Sequence, residues 1–566
     1  MPPLTLRGIR ANYRAVKFLR LAVNALAGGF FFSVLLALLV LDLNINFAFT
    51  PLAWLQLTVF LMPTYGLLAA LVVLVVASVF RFFAEKRTPV PFLSPSFLTL
   101  SFSLLTLGYL VVFRANLLYF LTYFVPGTQA LLRTQMLAMF LMAIAGLVIH
   151  YRHHHLKPRR LDFVYFFGFL AAVLTLGAVQ RLNFPAPPKA YALTNIEAKA
   201  IEKHVTVLCL EGLSLEILLP YANERKLPNF AWLMKEGAWG RLASFTPSDP
   251  HVLTATFNTG KLPGKHRQIS EVKYRVPGLD GELEVVPRFM LFRQLKRLGL
   301  LTILPDDAPP AAKDIWQILA ESRAPSVRMD GPFVASPAGR GPDARADKLF
   351  RSLYPDLQEE RSWIFAQVKQ AFLRDAESEE QAFQAKSDFE PQIFSLRLDG
   401  AVSAEMYFYK YSFPAEFGEI RQDEIDKFGA VIEKYCQYYD QIISKYLASL
   451  REGELFIVYS PHGAEPLPFW KRVLEWALGN SEVSAYHEQA PAGVAFFYGQ
   501  GIVRGKAVGD IRLVDMAPTI LYYIGLPVGK DMDGIVKGSL FETSFTDDNP
   551  VLTITSYDDA RIRKSN

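Results

Sequence analysis

Cysteine is nearly absent: Cys209 and Cys436 are the only two in 566 residues. Two are too few for a disulfide framework, and both read as buried thiols. Net charge is also low. A formal +5 is small for this length, and the basic residues gather beside apolar runs, so a nucleic-acid-binding surface gains no support. Ionised residues are scarcest before residue 183, where nearly all the long charge-free runs lie; beyond it apolar and charged stretches alternate as in a folded water-soluble domain. What is abundant is apolar side chain. A content of 51% hydrophobic and 13% aromatic residues is too high for an ordinary soluble enzyme, which points to a membrane portion.

Five runs read as crossings of a hydrocarbon layer that takes about 20 apolar residues. They lie near Phe18 to Leu41, Leu52 to Val79, Phe97 to Val112, Met136 to Ile149 and Phe163 to Val179. Arg7, Arg10, Arg14, Lys17 and Arg20 precede the first run; Arg81, Lys86 and Arg87 follow the second; Arg152, Lys157, Arg159 and Arg160 join the last two. The alternate loops are poor in Lys and Arg, so the positive-inside rule predicts a cytoplasmic N-terminus, and an odd number of crossings places the rest of the chain outside, on the extracytoplasmic or periplasmic face of the cytoplasmic membrane. The first run has no clear small-residue cleavage site and reads as an uncleaved anchor. His153, His154 and His155 have no carboxylates or thiols nearby and read as a basic interfacial loop, not a metal site. With Asp42 and Arg81 only at span ends, the spans read as an anchor or lipid-facing platform.

Residues 1–182 are thus expected to form a five-span transmembrane region, and 183–203, opening on NFPAPPK, a proline-rich linker. In the stretch 204–545, HVTVLCLEG (His204 to Gly212) reads as a buried parallel strand ending at a polar residue and a turn, where open α/β sheets place their chemistry. Helices are expected at Pro228 to Lys235, Asp423 to Leu450 and Leu513 to Ile524, and strands at Leu455 to Tyr459 and Val494 to Tyr498. The fold class that follows is an α-helical membrane region plus an α/β domain with a mostly parallel sheet sandwiched by helices. Asp306 to Ala312 and the charged run Asp375 to Asp388 read as surface insertions, and 546–566 as a flexible polar tail.

Several segments occur in an order that carries a resemblance: LCLEGL (208–213), LPNFAWLMKEGAWGRL (227–242), PSDPHVLTATFNTGKLPGKH (247–266), KDIWQILAE (313–321), SPHG (460–463) and HEQAPAGVAFFYGQGI (487–502), the last followed by VDMAPTILYYIGLP and DMDG. The stretch from about 204 to 545 resembles the alkaline phosphatase superfamily, most closely its type I phosphodiesterase and nucleotide pyrophosphatase branch. The resemblance implies a two-metal hydrolase, usually zinc, in which a Thr or Ser attacks phosphorus.

The sequence departs from that pattern. Glu211 stands for the first-strand Asp, the nucleophile position falls on Pro250 or Asp249, Pro461 replaces the Asp of Ser-Asp-His-Gly, and Ser403 takes a His place beyond Asp399. His462 and His487 match unchanged. One reading keeps Glu211, Asp399, His462 and His487 as a single-metal site for zinc or another divalent ion, with Asp249 as an extra ligand at the degenerate nucleophile position. The favoured reading makes them polar residues of a cleft that binds no cofactor, since residues that act as a unit fail as a unit. Ser248, Thr254 and Thr256 are conceivable substitute nucleophiles, though hydroxyls near a helix start are more often caps. The function expected is then a pseudoenzyme, tethered to the bilayer and binding an envelope protein or a phosphorylated glycan or lipid. The alternative is an active metal-dependent phosphodiesterase or phosphotransferase acting on lipid head groups or envelope polymers.

Overall fold

The structure, a computed structural model, describes all residues except 1–5, 84–92, 157–160, 185–194, 199–202, 289–294, 296–297, 306–309, 330–343, 478, 488–489, 510, 559–560 and 565–566. Most of the proline-rich linker and of the Asp306 to Ala312 stretch, together with Lys86, Arg87, Lys157, Arg159 and Arg160, lies outside the described residues. The chain divides into two compact units: Met1–Pro188 with Ile269–Pro309, and Lys189–Gln268 with Pro310–Asn566.

The first unit is built on helices Leu6–Leu43, Pro51–Leu61, Leu67–Phe83, Pro95–Tyr119, Pro126–Leu156 and Leu161–Leu182, the second and third of these joined without a break by a π-turn at Met62–Gly66. Prolines at the first turns of several helices supply a preset φ where no intrahelical N–H is needed, and Thr50 and Ser94 accept from Ala53 N and Phe97 N as caps. Among the described residues, four stretches are long and apolar enough to cross a membrane: Phe18–Leu43, Pro51–Val79, Pro95–Tyr119 and Pro126–Arg152. The expected fifth crossing is not among these four: within the helix Leu161–Leu182 the described residues give a shorter apolar stretch, Val164–Val179. The first helix and the π-turn meet backbone to backbone, since a Cβ on Gly29 would stand 2.1 Å from the Gly66 carbonyl oxygen. Small residues allow such approach where no hydrophobic drive between helices exists.

The apolar packing hides a polar node that the scarcity of charge did not suggest. Asp42 is 1% exposed and accepts from Gln135 Nε2 at 3.1 Å; Arg181 donates to the carbonyls of Asn44 (3.1 Å) and Phe47 (2.8 Å). The segment Ile269–Pro309 belongs to this unit and interrupts the stretch 204–545. It carries an antiparallel sheet of Val272–Arg275, Glu282–Leu283 and Thr302–Pro305. Helix-end amides bind its backbone. The Asn44 side chain accepts from Glu284 N and Val285 N and donates to Val285 O, and Asn116 accepts from Arg288 N at 2.6 Å.

The second unit is a mixed sheet between two helical layers. Its strands are β1 Val205–Leu210, β2 Ala238–Ala243, β3 Ser326–Met329, β4 Ile393–Leu398, β5 Leu455–His462, β6 Ala492–Tyr498, β7 Lys506–Ala507 and β8 Ile511–Arg512. The order is β7-β2-β6-β5-β1-β4-β3, with β8 also on β2. Strands β5, β1, β4 and β3 run parallel, and β6 is antiparallel to both neighbours. Alternate residues enter opposite cores. Leu208, Phe394, Val458 and Phe496 face the layer of helices Pro228–Glu236, Trp363–Phe389, Gly400–Ser412 and Val431–Ala448. Val207, Ile393, Ile457 and Phe497 face that of Pro250–Thr259, Ile315–Glu321 and Met516–Tyr523. Burial on both sides explains why these strands read as continuous apolar runs. Cys209 and Cys436 are free and buried.

Two surface expectations are corrected. The run Asp375 to Asp388 is no insertion but the second half of the helix Trp363–Phe389, which turns Val368, Phe372, Asp375, Glu379 and Ala382 inward at helical spacing. The C-terminal stretch is tied down: Thr553–Ile554 pairs with Val528–Gly529, Asp558 meets Lys261 at 2.7 Å, and Arg561–Lys564 runs parallel to Asn195–Ala198.

Candidate functional site

Three adjacent parallel strands, β4, β1 and β5, end side by side, and each delivers polar residues at its carboxyl end. Glu211 follows β1 and is 2% exposed. Its Oε1 accepts from Arg397 Nε of β4 at 2.8 Å. Burial pushes the Glu211 carboxyl up, but the Arg397 guanidinium, helped by His462 and His487, more than offsets it and holds the group below its ordinary value. Asp399, just past β4, starts the helix Gly400–Ser412 without a side-chain cap bond. Burial and the nearby Glu211 charge raise its carboxyl.

His462 ends β5, and His487 lies in the loop before β6. Their rings are 5.0 Å apart between centroids. Both turn Nδ1 to one acceptor, the carbonyl of Gly463, at 3.2 Å for His462 and 3.0 Å for His487. A carbonyl only accepts, so each ring carries its proton on Nδ1 and keeps a lone pair on Nε2. Burial lowers both, and His487, pressed further by His462, falls to about 4. Among the described residues the buried Nε2 of His487 makes no geometric hydrogen bond.

Glu405 lies about one and two-thirds turns along the helix from Asp399. It is 1% exposed, its Oε2 is 3.8 Å from His487 Nδ1, and burial raises its carboxyl well above the usual range. It packs against Gly212, whose φ of 90° favours glycine and where a Cβ would stand 2.6 Å from Glu405 Oε2.

The nucleophile positions do other work. Pro250 occupies the first turn of the helix Pro250–Thr259, and the Asp249 carboxylate accepts from His251 N (3.0 Å) and Val252 N (3.3 Å) as its N-cap. Ser248 donates to the His487 carbonyl oxygen. Thr256 donates back to Val252 O at 2.9 Å and meets His266 Nε2 at 3.0 Å. The fold therefore brings Glu211, Asp399, His462 and His487 to one end of the sheet, while Asp249 caps its own helix through Oδ1.

Arg397 and Glu405 were missed in the sequence. A signal for Arg397 existed: it is the one ionised residue within the apolar strand IFSLRL. Glu405 carries a weaker one, as the only acid in the helix GAVSAEMYFYKYS.

The two-metal pair implied by the resemblance does not fit these residues. A fixed guanidinium neutralises Glu211, a proline side chain at 461 offers no donor, and Asp249 Oδ1 serves two backbone N–H groups. Among the described residues, no group of three or more His, Cys, Asp or Glu is placed to hold a metal ion. The aromatic stretch at Met406 to Phe413 is core: Phe408 and Tyr411 are buried in the helix beneath the site.

No protein-family model matches the chain, and no curated protein matches it. Among solved structures it is similar to an inactive variant of murine ectonucleotide pyrophosphatase/phosphodiesterase 5 in complex with AMP, at 12% identity and a TM-score of 0.34, over 57% of this chain and 96% of that one. The human protein of the same name gives 12% and 0.36 over 60% and 100%. A phosphonate monoester hydrolase from Silicibacter pomeroyi gives 15% and 0.34 over 60% and 76%. At such identities and TM-scores these likenesses carry no inference about the chemistry of this chain.

Proposed function

We propose that this chain is a membrane-anchored protein whose sheet-containing unit keeps a phosphodiesterase-type framework for binding and not for turnover. In this reading the N-terminus is cytoplasmic, the helix Leu161–Leu182 makes the fifth passage that an extracytoplasmic 204–545 requires, and the partner of that domain is an envelope protein or a phosphorylated glycan or lipid. A scaffolding or regulatory role in the cell envelope follows. The observation that carries the reading is the Glu211–Arg397 pair: a buried carboxylate whose charge is balanced by a side chain of the same protein has no need of a metal ion. The cap at Asp249 supports it, since neither the capping carboxylate nor Pro250 offers an alkoxide for attack on phosphorus.

The test uses full-length protein purified in detergent. Metal content is measured together with hydrolysis of a bis(nitrophenyl) phosphodiester. Binding without turnover predicts far less than one zinc per chain and no rate above buffer. Stoichiometric zinc, with turnover abolished by His462→Ala, would overturn the proposal in favour of an active phosphodiesterase or phosphotransferase.

A further inference from the structure

In the helix Phe469–Ala477 (FWKRVLEWA), in the connection between β5 and β6, the described side chains put apolar groups outward and charged groups inward. Phe469, Val473 and Trp476 recur at helical spacing along one face, and they are 74%, 49% and 71% exposed. Lys471 and Glu475, on the opposite face, are buried at 9% and 5%. The reversal is supported by specific partners. Glu475 accepts from Tyr486 Oη at 2.6 Å and from Asn480 Nδ2 at 2.7 Å, and Lys471 Nζ lies over the Tyr486 ring. Arg472 donates to the Phe417 carbonyl and lies over the rings of Phe417 and Phe469. A helix that buries its charges on satisfied partners while presenting Trp, Phe and Val outward departs from ordinary surface patterning, and such departures mark interaction surfaces.

We propose that this helix is a membrane-docking element, lying flat on the bilayer with Phe469, Val473 and Trp476 in the lipid interface. A bilayer is the partner the molecule itself brings near. The same chain carries four helices long and apolar enough to cross one, so lipid is a tethered neighbour at high effective concentration. The chemistry matches. Trp and Phe favour the interfacial layer, and a helix of nine residues spans about 13 Å, enough to lie in that layer and too short to cross it. The acid of this helix points away from the exposed face and Arg472 flanks it, which suits an anionic lipid surface.

The experiment places a nitroxide on full-length protein at Val473→Cys and, separately, at Trp476→Cys, with Arg504→Cys, at a 76% exposed side chain, as the reference. The native Cys209 and Cys436 are buried and escape the label. After reconstitution into vesicles of phosphatidylethanolamine and phosphatidylglycerol, collision with dissolved oxygen is compared with collision with a water-soluble nickel chelate. Docking predicts that oxygen outweighs the chelate at 473 and 476, and that the order inverts at 504. Chelate access at both helix positions equal to that at 504 overturns the proposal. So does protection from both reagents with an immobilised spectrum, which would identify a protein partner or a second copy. Two label sites keep one misfolded variant from deciding the matter.

Discussion

At the tip of β4 a guanidinium lies 2.8 Å from the one carboxylate that β1 supplies. The pair is nearly out of water, with 3% of the Glu211 side chain and 17% of the Arg397 side chain exposed. Breaking such a pair from one side strands a buried charge, whereas replacing both members by apolar groups of similar volume is close to neutral. Arg397→Ala is therefore expected to cost about 3–5 kcal/mol, and Arg397→Met combined with Glu211→Leu to recover most of it. Thermal unfolding of the detergent-solubilised protein measures both. Because the Glu211 carboxyl is held below its ordinary value, the pair's contribution is present above the usual Glu range and fades as pH falls through the depressed value. The Arg397→Ala penalty should shrink accordingly in acid. An Ala variant as stable as the parent at neutral pH would remove the main support for a metal-independent site.

The helix Trp363–Phe389 shows at the scale of one element how a buried acid shapes pH response. Asp375, 4% exposed, accepts from Gly400 N (3.0 Å), Tyr435 Oη (2.9 Å) and Tyr439 Oη (3.2 Å). Burial, then the charge of Asp399, raises its carboxyl to about 7, and the three donors offset only part of that. A raised acid stabilises the fold while protonated, so its contribution is full below about pH 4 and is lost as pH climbs towards 7, a change on the order of 4 kcal/mol at most. Asp375→Asn cannot ionise. Its melting temperature relative to the parent should rise across that window and level off above it, and a pH-independent difference would contradict the assignment. The same helix explains an error in reading the sequence. Acids at 375 and 379 lie on its inward stripe, so the charged run looked like solvent-facing insertion when it is a core-facing turn. The largely apolar β1 and β5 were legible, because strands buried on both faces leave little else to write. At the site, Glu211 was visible at a strand end and His462 and His487 through the family resemblance, whereas Arg397 and Glu405 were not. A single buried charge has no spacing to betray it, and its meaning lies in a partner on another strand or helix.

In the molecule as a whole, the chain passes between its two compact units near residues 188, 268 and 309. Four long apolar helices and a fifth, shorter one make the first unit suited to a bilayer, and the excursion Ile269–Pro309 has its backbone held by Asn44 and Asn116 of that unit. A single engineered protease site within 185–194 should therefore fail to release the sheet-containing unit from membranes under native conditions, and should release it only after denaturation or after further cuts at both ends of the excursion. Sedimentation followed by gel electrophoresis reads the outcome. Release by the single cut would show that the excursion holds nothing.

The ends of that excursion meet: Ala311 N donates to the His266 carbonyl at 2.9 Å. Topologically the sheet-containing unit is a closed body with a pinched-off loop lent to its neighbour, so a truncation starting at residue 204 would carry the loop with its binding amides amputated. Splicing Gln268 to Pro310 through a short glycine–serine bridge across the pinch, and discarding what lies between, is the cut that respects how the polypeptide is threaded.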